Sequence, residues 1–475
     1  MESGQSLSRP LVPARATCSA ILCAILAAGL ACVLHLGLVR WEGTGNPNLP
    51  ALLLSYLALC GLYVFVTSSF ADSSDSLVIG ILLATFILVR LVFLLTPITL
   101  TSDIHRYVWE GVTLRAGYNP YTYAPNSPEL LELAKAHSTL WSQIQHAHLS
   151  AIYPPLALLL LTAFAHSALS WKCFLLACDV LSILVCSSLL QRANLPIGRV
   201  LYFAWLPLLW IESGISGHLE SVMILPILIA VWLLTRSKSL GTLGAVAFGG
   251  LCATAVMVKY IAIVPLIFLV ARYRQTFVRG KASVTGTSFL LVCCALNYPF
   301  LDFKSPGFAV FDSLGTYLTH WRFNDSLFHL IGGLFLVNWK DSASFTFIKY
   351  VLGAIWGLCT ISLIRRHADW FTGTIASVLL LLLLSPVVHP WYGLWLAVFV
   401  IWSPAPAAIY LCLALPLSYV SLAMSYEQVP VWIKLIIYMP VVMLTYFRST
   451  TSCSSSPGSS LPCLSLKIRS KPVRQ

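Results

Sequence analysis

The sequence predicts an all-α fold, a polytopic transmembrane helix bundle of roughly 11 to 14 membrane segments with a long first outer loop carrying short interfacial helices. Three observations predict it. Hydrophobic residues fill 58% of the 475 positions and charged residues only 10%, against about 25% charged in soluble domains. Apolar runs long enough to cross a bilayer, near 20 residues each, recur along the chain. After the third run comes a stretch of about fifty residues rich in charge, aromatics and proline, a loop length that is uncommon without a function.

Charge and cysteine usage narrow the class. The formal net charge is +12, but the basic residues sit between apolar segments rather than in one patch. That pattern fits cytoplasmic loops facing anionic membrane lipid and excludes a nucleic-acid partner. The 14 cysteines are scattered through apolar runs, as at Cys18, Cys23, Cys32, Cys186, Cys293 and Cys294, where they act as small hydrophobes. No CxxC pair or Cys/His cluster has zinc spacing, so neither a disulfide framework nor a metal site is read.

The first span follows Arg9 and Arg15 at about 17–40; it is too long for a signal-peptide core. Runs at about 49–70 and 76–99 follow, and with the basic N-terminus inside, three crossings put 100–152 outside. In that loop Asp103–Arg115 and residues 128–145 have helical spacing, predicting two amphipathic helices in the interface with tryptophan anchors. Tyr118-Asn119-Pro120 and Tyr123-Ala124-Pro125 separate them, since the residue before proline avoids helix. Further segments are expected at about 153–170, 172–190, 200–213, 217–235, 241–258, 260–271, 284–300, 344–364, 371–388, 391–403, 406–424 and 432–447. Arg272-Tyr273-Arg274 and Arg365-Arg366 fall inside by positive-inside counting, and His389-Pro390-Trp391-Tyr392 outside. If both 153–170 and 172–190 cross, Arg192 and Arg199 land outside, so one short segment must be re-entrant or half-length. Residues 1–447 thus form one membrane domain, and 448–475 a disordered, basic, Ser-rich cytoplasmic tail.

Asp103 opens the outer loop, in the company of His105, Arg106, Trp109 and Glu110. A partly desolvated carboxylate there can take a proton from a substrate hydroxyl; Ser102 and Asp103 equally suit helix capping. Arg90 lies deep in the third span, where an arginine faces a cavity or a partner; it contacts substrate or pairs with Asp179. Gly217-His218-Leu219-Glu220 sits where two short spans meet, with Glu212 shortly before it. That set reads as a proton relay, a sugar-hydroxyl contact or a water-exposed turn. Lys259 suits a phosphate or snorkels to the surface. The stretch 301–327 holds Tyr317, Trp321, Arg322, Asn324 and Asp325, fitting sugar stacking and hydroxyl bonding or interfacial anchoring. His389 is the less ordinary member of an aromatic belt with Trp391 and Tyr392. There is no P-loop and no GxGxxG after a strand, and no carboxylate pair for a nucleotide-bound metal. Any glycosyl or phosphoryl donor would therefore be a lipid.

The run Asp103-Ile104-His105-Arg106-Tyr107-Val108-Trp109-Glu110-Gly111, with Gly117-Tyr118-Asn119-Pro120, Tyr123-Ala124-Pro125 and Ile152-Tyr153-Pro154-Pro155, resembles the first outer loop of the GT-C superfamily of membrane glycosyltransferases. More narrowly it resembles bacterial polyprenol-phosphate-dependent mannosyltransferases. The likeness extends to Gly217-His218-x-Glu220, Lys259, Trp321-x-Phe323-Asn324-x-Ser326 and His389-Pro390-Trp391-Tyr392, with Glu110 where Asp is expected in many relatives. The resemblance implies sugar transfer, mannose first, from a polyprenyl-phosphate donor to a glycan or glycolipid acceptor at the outer face of the cell membrane. It implies inversion, no metal and no cofactor beyond the lipid-linked substrate. Asp103 matches the family's general base. Arg106, Arg90, Lys259 and His389 are the candidates facing phosphate, and His105, Glu110, His218, Glu220, Trp321, Asn324, Trp391 and Tyr392 complete the expected substrate contacts. The competing class is a transporter or flippase, with Arg90, Asp179, Glu212 and Lys259 lining a path; no matching pair of broken helices in two halves supports it. A third is an assembly subunit with a vestigial site.

Overall fold

The computed structural model describes residues 12–45, 47–236, 240–277, 280–301, 311–335, 341–366, 369–424 and 428–454. Among them the regular elements are all helices, and the only extended pairing is an isolated bridge between Phe323 and Val387. Helices α1 (Val12–Thr44), α2 (Leu49–Phe70) and α3 (Ser76–Leu94) follow the first three apolar runs. Asn48 caps α2 by accepting from the Ala51 amide, and Asp75 caps α3 by accepting from Leu77 and Val78, which satisfies amides that no helical carbonyl can reach. Six described helices are long and apolar enough to cross a membrane: Arg15–Thr44, Leu49–Phe70, Ser76–Leu94, Ala168–Arg192, Lys281–Phe300 and Ala343–Arg365. Six shorter apolar helices and one sharply bent pair accompany them.

Helix α4 (Asp103–Arg115) has the bounds expected, but not the setting. Seven of its residues, Trp109 among them, are buried, so Trp109 packs in the protein interior rather than anchoring an interface. Gly111 permits this, because a Cβ there would lie 2.7 Å from the Leu161 carbonyl oxygen on the helix α4 packs against. The second interfacial helix, expected over 128–145, is three short pieces: Pro128–Leu130, Leu131–Ala136 and Ser138–Trp141. His137 leaves helical geometry at φ −120° and ψ 39°, and Trp141 turns inward to donate from Nε1 to the Pro125 carbonyl, 2.9 Å.

The segment expected at 153–170 is only Pro155–Phe164, 10 residues, about 15 Å of helix and half a membrane crossing. It is therefore a half-length segment, while Ala168–Arg192 is full length. Residues 200–213 and 391–403 are likewise runs of single turns rather than spans. The stretch 301–327 contains a helix, Asp312–His320, and its residues 302–310 lie outside the described set. The last helix, Val431–Ser454, continues past the boundary expected at 447; the rest of the tail lies outside the described residues.

The break at the centre organises the interior. Pro207–Ile215 and Glu220–Leu234 meet at 118°, and the first ends in a π-helical turn, Trp210–Ile215, a form concentrated at functional sites. Irregular backbone survives at membrane depth only when its polar groups are satisfied by protein. Here the Ser216 amide donates to Ile211 O, 2.9 Å, the His218 amide to Glu212 O, 2.8 Å, and Trp171 Nε1 to Gly217 O, 2.8 Å. Gly217 has φ +74°, and a Cβ there would lie 2.5 Å from Ile104 Cδ1 of α4. The break and the helix carrying Asp103 thus pack closely at Gly217, whose positive φ favours glycine.

Candidate functional site

A cavity of about 1210 Å³ opens beside the N-terminal end of α4, larger than the 300–1,000 Å³ typical of small-ligand sites. Its wall has two characters. One side is polar and aromatic, with Asp103, Arg106, Lys259 and Trp391. The other is apolar, with Leu94, Ile98, Leu100, Leu169, Ile263 and Val264.

Of the residues singled out from sequence, Asp103, His105, Arg106, Glu110, Lys259, Trp321, His389, Trp391 and Tyr392 line this one cavity. Asp103 stands at the first residue of α4, where Ser102 makes no side-chain cap bond. Its carboxyl remains partly accessible, at 36%, and burial pushes its pKa up to about 6. Lys259 opposes that shift, Glu220 adds to it and Arg106 opposes it. Burial also raises Glu110, against the pull of Arg106. His389 is held down to about 3 by burial and then by Lys259, so its imidazole is neutral at ordinary pH.

Arg106 organises the loop. Its Nε donates to Glu110 Oε1 at 2.5 Å, and its terminal nitrogens reach Leu149 O at 2.6 Å and His146 O at 3.4 Å. One guanidinium fork thus ties α4 to the far end of the loop, where His146 sits at φ +53°. His146 in turn meets the Trp321 ring at 4.6 Å.

Lys259 interrupts the apolar run at the end of Thr242–Val258, with extended backbone at φ −156° and ψ 124°. Its ammonium pairs with the fully buried Glu220 and lies 5.9, 5.6 and 5.6 Å from the ring centroids of Tyr153, Tyr392 and Trp395. Aromatic faces stabilise such a cation. Two tyrosine pairs flank it: Tyr107 and Tyr153 hydroxyls at 2.9 Å, and Tyr317 and Tyr392 hydroxyls at 2.6 Å. A continuous ring stack runs from the cavity lining into the interior. Phe323 lies 4.9 Å from His389, His389 4.3 Å from Trp391, and Trp391 3.7 Å from His218.

Four expected residues do not line the cavity. Arg90 is fully buried, with Asp179 Oδ2 at 2.6 Å and Ser213 Oγ at 3.0 Å; its guanidinium is taken up by an interior ion pair, so a substrate contact is not what this geometry provides. Asn324 is buried at φ +51°, donates to Val388 O at 3.1 Å and has its own carbonyl bonded by the Tyr438 hydroxyl at 2.7 Å; it pins the Phe323–Val387 bridge. Glu220 and His218 are fully buried directly behind the wall. Sequence reasoning passed over Tyr107, Tyr153, Trp395 and Tyr419 as site residues, and Lys172, which lines the cavity and donates to Thr96 O at 2.8 Å. Tyr107 and Tyr153 did carry a signal, standing inside the loop motifs; Tyr419, in an apolar run, carried none.

The sequence profile described as alpha-(1->6)-mannopyranosyltransferase, N-terminal domain, matches residues 17–274, just over half of the chain. The matched region holds α1–α4, the bent pair and Lys259. No curated protein and no solved structure matches the chain.

Proposed function

The chain belongs to the alpha-(1->6)-mannopyranosyltransferase family, hence is a glycosyltransferase, and from that premise we propose that it moves a mannosyl residue from a polyprenyl-phosphate carrier to a glycan or glycolipid acceptor at the outer face of the cell membrane. The observation that carries the reading is one cavity lined by a half-buried carboxylate, a lysine among aromatic rings and many apolar side chains. The apolar lining suits the prenyl chain of a donor that stays in the membrane, and the polar lining suits its phosphate and sugar. Membrane lipids are the surrounding partner, and nucleic acid is none.

In the proposed reaction Asp103 removes the proton from the acceptor hydroxyl as that oxygen attacks the anomeric carbon. The bond from that carbon to phosphate breaks, its electron pair leaves on the phosphate, and the centre inverts through an oxocarbenium-like state. A phosphate monoester leaves as an anion, so it needs a nearby cation rather than a proton donor. Lys259 and Arg106 supply that charge, and the chemistry calls for no metal and no further cofactor. Trp321, Trp391 and Tyr392 offer ring faces for the sugar, and His105 and Glu110 offer hydroxyl contacts. Raising the Asp103 pKa towards 6 makes it a stronger base while leaving it ionised near neutrality.

The test is donor choice. Purified protein in detergent, given labelled mannose on polyprenyl phosphate or on a nucleoside diphosphate with a panel of glycan and glycolipid acceptors, is expected to transfer from the lipid alone. Transfer from the nucleotide sugar would overturn the reading, and movement of intact lipid carrier across liposomes without transfer would favour a flippase.

A further inference from the structure

Behind Asp103 lies a buried polar chain that the reaction above leaves unused. His218 Nδ1 is 3.9 Å from Asp103 Oδ2, and its Nε2 is 3.5 Å from Glu212 Oε2. Both His218 and Glu212 are fully buried. The Tyr419 hydroxyl sits 2.9 and 3.0 Å from the two Glu212 carboxyl oxygens, and Tyr107 places its hydroxyl 3.3 Å from His218 Nδ1. The imidazole plane is fixed by the Trp391 ring stacked at 3.7 Å. His218 Nε2 has no hydrogen-bond partner, and a buried ring nitrogen left so carries a cost. Glu212 is the carboxylate within reach of it.

Resting on Asp103 as the base, we propose that Glu212, anchored by Tyr419, holds His218 as the Nε2–H tautomer, so that its Nδ1 lone pair faces Asp103 and accepts the hydrogen that Asp103 has just taken from the acceptor hydroxyl. His218 and Glu212 are positioning residues in this scheme. In the resting state Nδ1 faces the Tyr107 hydroxyl, which shares its hydrogen with Tyr153. As the new carbon–oxygen bond forms and the phosphate departs with its electron pair, Asp103 becomes a carboxylic acid. Its O–H turns to Nδ1, and the proton returns through Asp103 to cavity water after product leaves. At 3.5 and 3.9 Å the contacts are open, as catalytic hydrogen bonds often are before substrate binds. The location supports the scheme: Glu212 lies in the π-helical turn, His218 directly after Gly217, and Gly217 packs on Ile104 beside Asp103. Arg106, Tyr153, Tyr317, Lys259, Glu220, His389 and Tyr419 also face this cluster electrostatically.

The bond to Nδ1 exists only after proton transfer begins, so its loss lowers kcat and leaves KM alone. Glu212→Gln replaces the carboxyl oxygen beside Nε2 with an amide that no longer dictates the tautomer; the expected result is a kcat lower by about 10²-fold, an unchanged donor KM, and an acid limb of the pH profile moved to lower pH. Tyr419→Phe, which keeps the ring and loosens Glu212, is expected to lower kcat by roughly 3- to 10-fold in the same sense. Thermal unfolding in detergent is measured on both. An unchanged kcat, a rise in KM alone, an unmoved acid limb, or collapse of the fold in both variants would overturn the proposal. Failure of the underlying reading looks different: there Asp103→Asn would transfer as well as wild type.

Discussion

Replacing Lys259 by methionine separates what this lysine does for the fold from what it does for the reaction. Glu220 is fully buried; its Oε1 is bonded by Lys259 and approached by Trp395 Nε1 at 3.3 Å, while its Oε2 has no partner. Removing the ammonium leaves a carboxylate in the interior with one long hydrogen bond. Breaking a buried pair from one side costs about 3–5 kcal/mol, so Lys259→Met is expected to lose that much unfolding free energy in detergent. Adding Glu220→Gln removes the stranded charge and keeps a polar group for Trp395, and the penalty falls to about 1–3 kcal/mol. Transfer should not follow stability. The phosphate has lost the Lys259 counter-charge in both variants and keeps only Arg106, and the expected kcat of the double variant stays about 10²- to 10³-fold below wild type. The assay is mannosyl transfer beside chemical unfolding of the same preparations. A double variant that recovers both would refute the argument and make Lys259 a structural partner of Glu220.

Four further outcomes are expected. Because burial lifts Asp103 to about 6 and a base acts only when ionised, kcat/KM rises with pH through about 6 and is lost below it; an acid limb near 4 would contradict the assignment. Lys259 holds Asp103 down, so any residual activity of Lys259→Met has its acid limb at higher pH. Gly217→Ala forces a side chain onto φ +74° and against Ile104, a strain on the order of 1–3 kcal/mol, and hydrogen exchange should show loosening confined to 102–108 and 215–220. Arg90→Met strands Asp179 and costs about 3–5 kcal/mol, whereas Arg90→Met with Asp179→Leu recovers most of it and retains transfer; persistent loss of transfer in a stable double variant would return Arg90 to the site.

Much of this was legible in the chain. The bounds of α4 could be read because amphipathic spacing and a polar start mark a helix wherever its flanks are not apolar. Asp103, Arg106 and Lys259 stood out for the converse reason, as charges at the edges of hydrophobic runs. What failed to show has a common cause. Apolar side chains line both arms of the bent pair, so periodicity carried no sign of the 118° turn or of the π-helical residues in it. Polar residues inside a membrane protein serve either a site or the backbone that a break leaves unsatisfied, and sequence does not distinguish them. Arg90 was read as contacting substrate or pairing with Asp179, and it makes the pair; Asn324 was read as facing substrate, yet it bonds the Val388 carbonyl. Tyrosines err the opposite way. An aromatic near the end of a span looks like interfacial belt, so Tyr153 was quoted only as part of a motif and Tyr419 not at all. Trp109, read as an anchor, is core.

The central claim is that one carboxylate, Asp103, activates the acceptor. The direct measurement is transfer of labelled mannose from polyprenyl phosphate by wild type and Asp103→Asn, with EDTA throughout and matched thermal unfolding. Wild-type transfer that collapses by about 10²- to 10⁴-fold in a variant with unchanged unfolding is the expected result. Equal transfer by both proteins would contradict it and move the base to another carboxylate, Glu110 first.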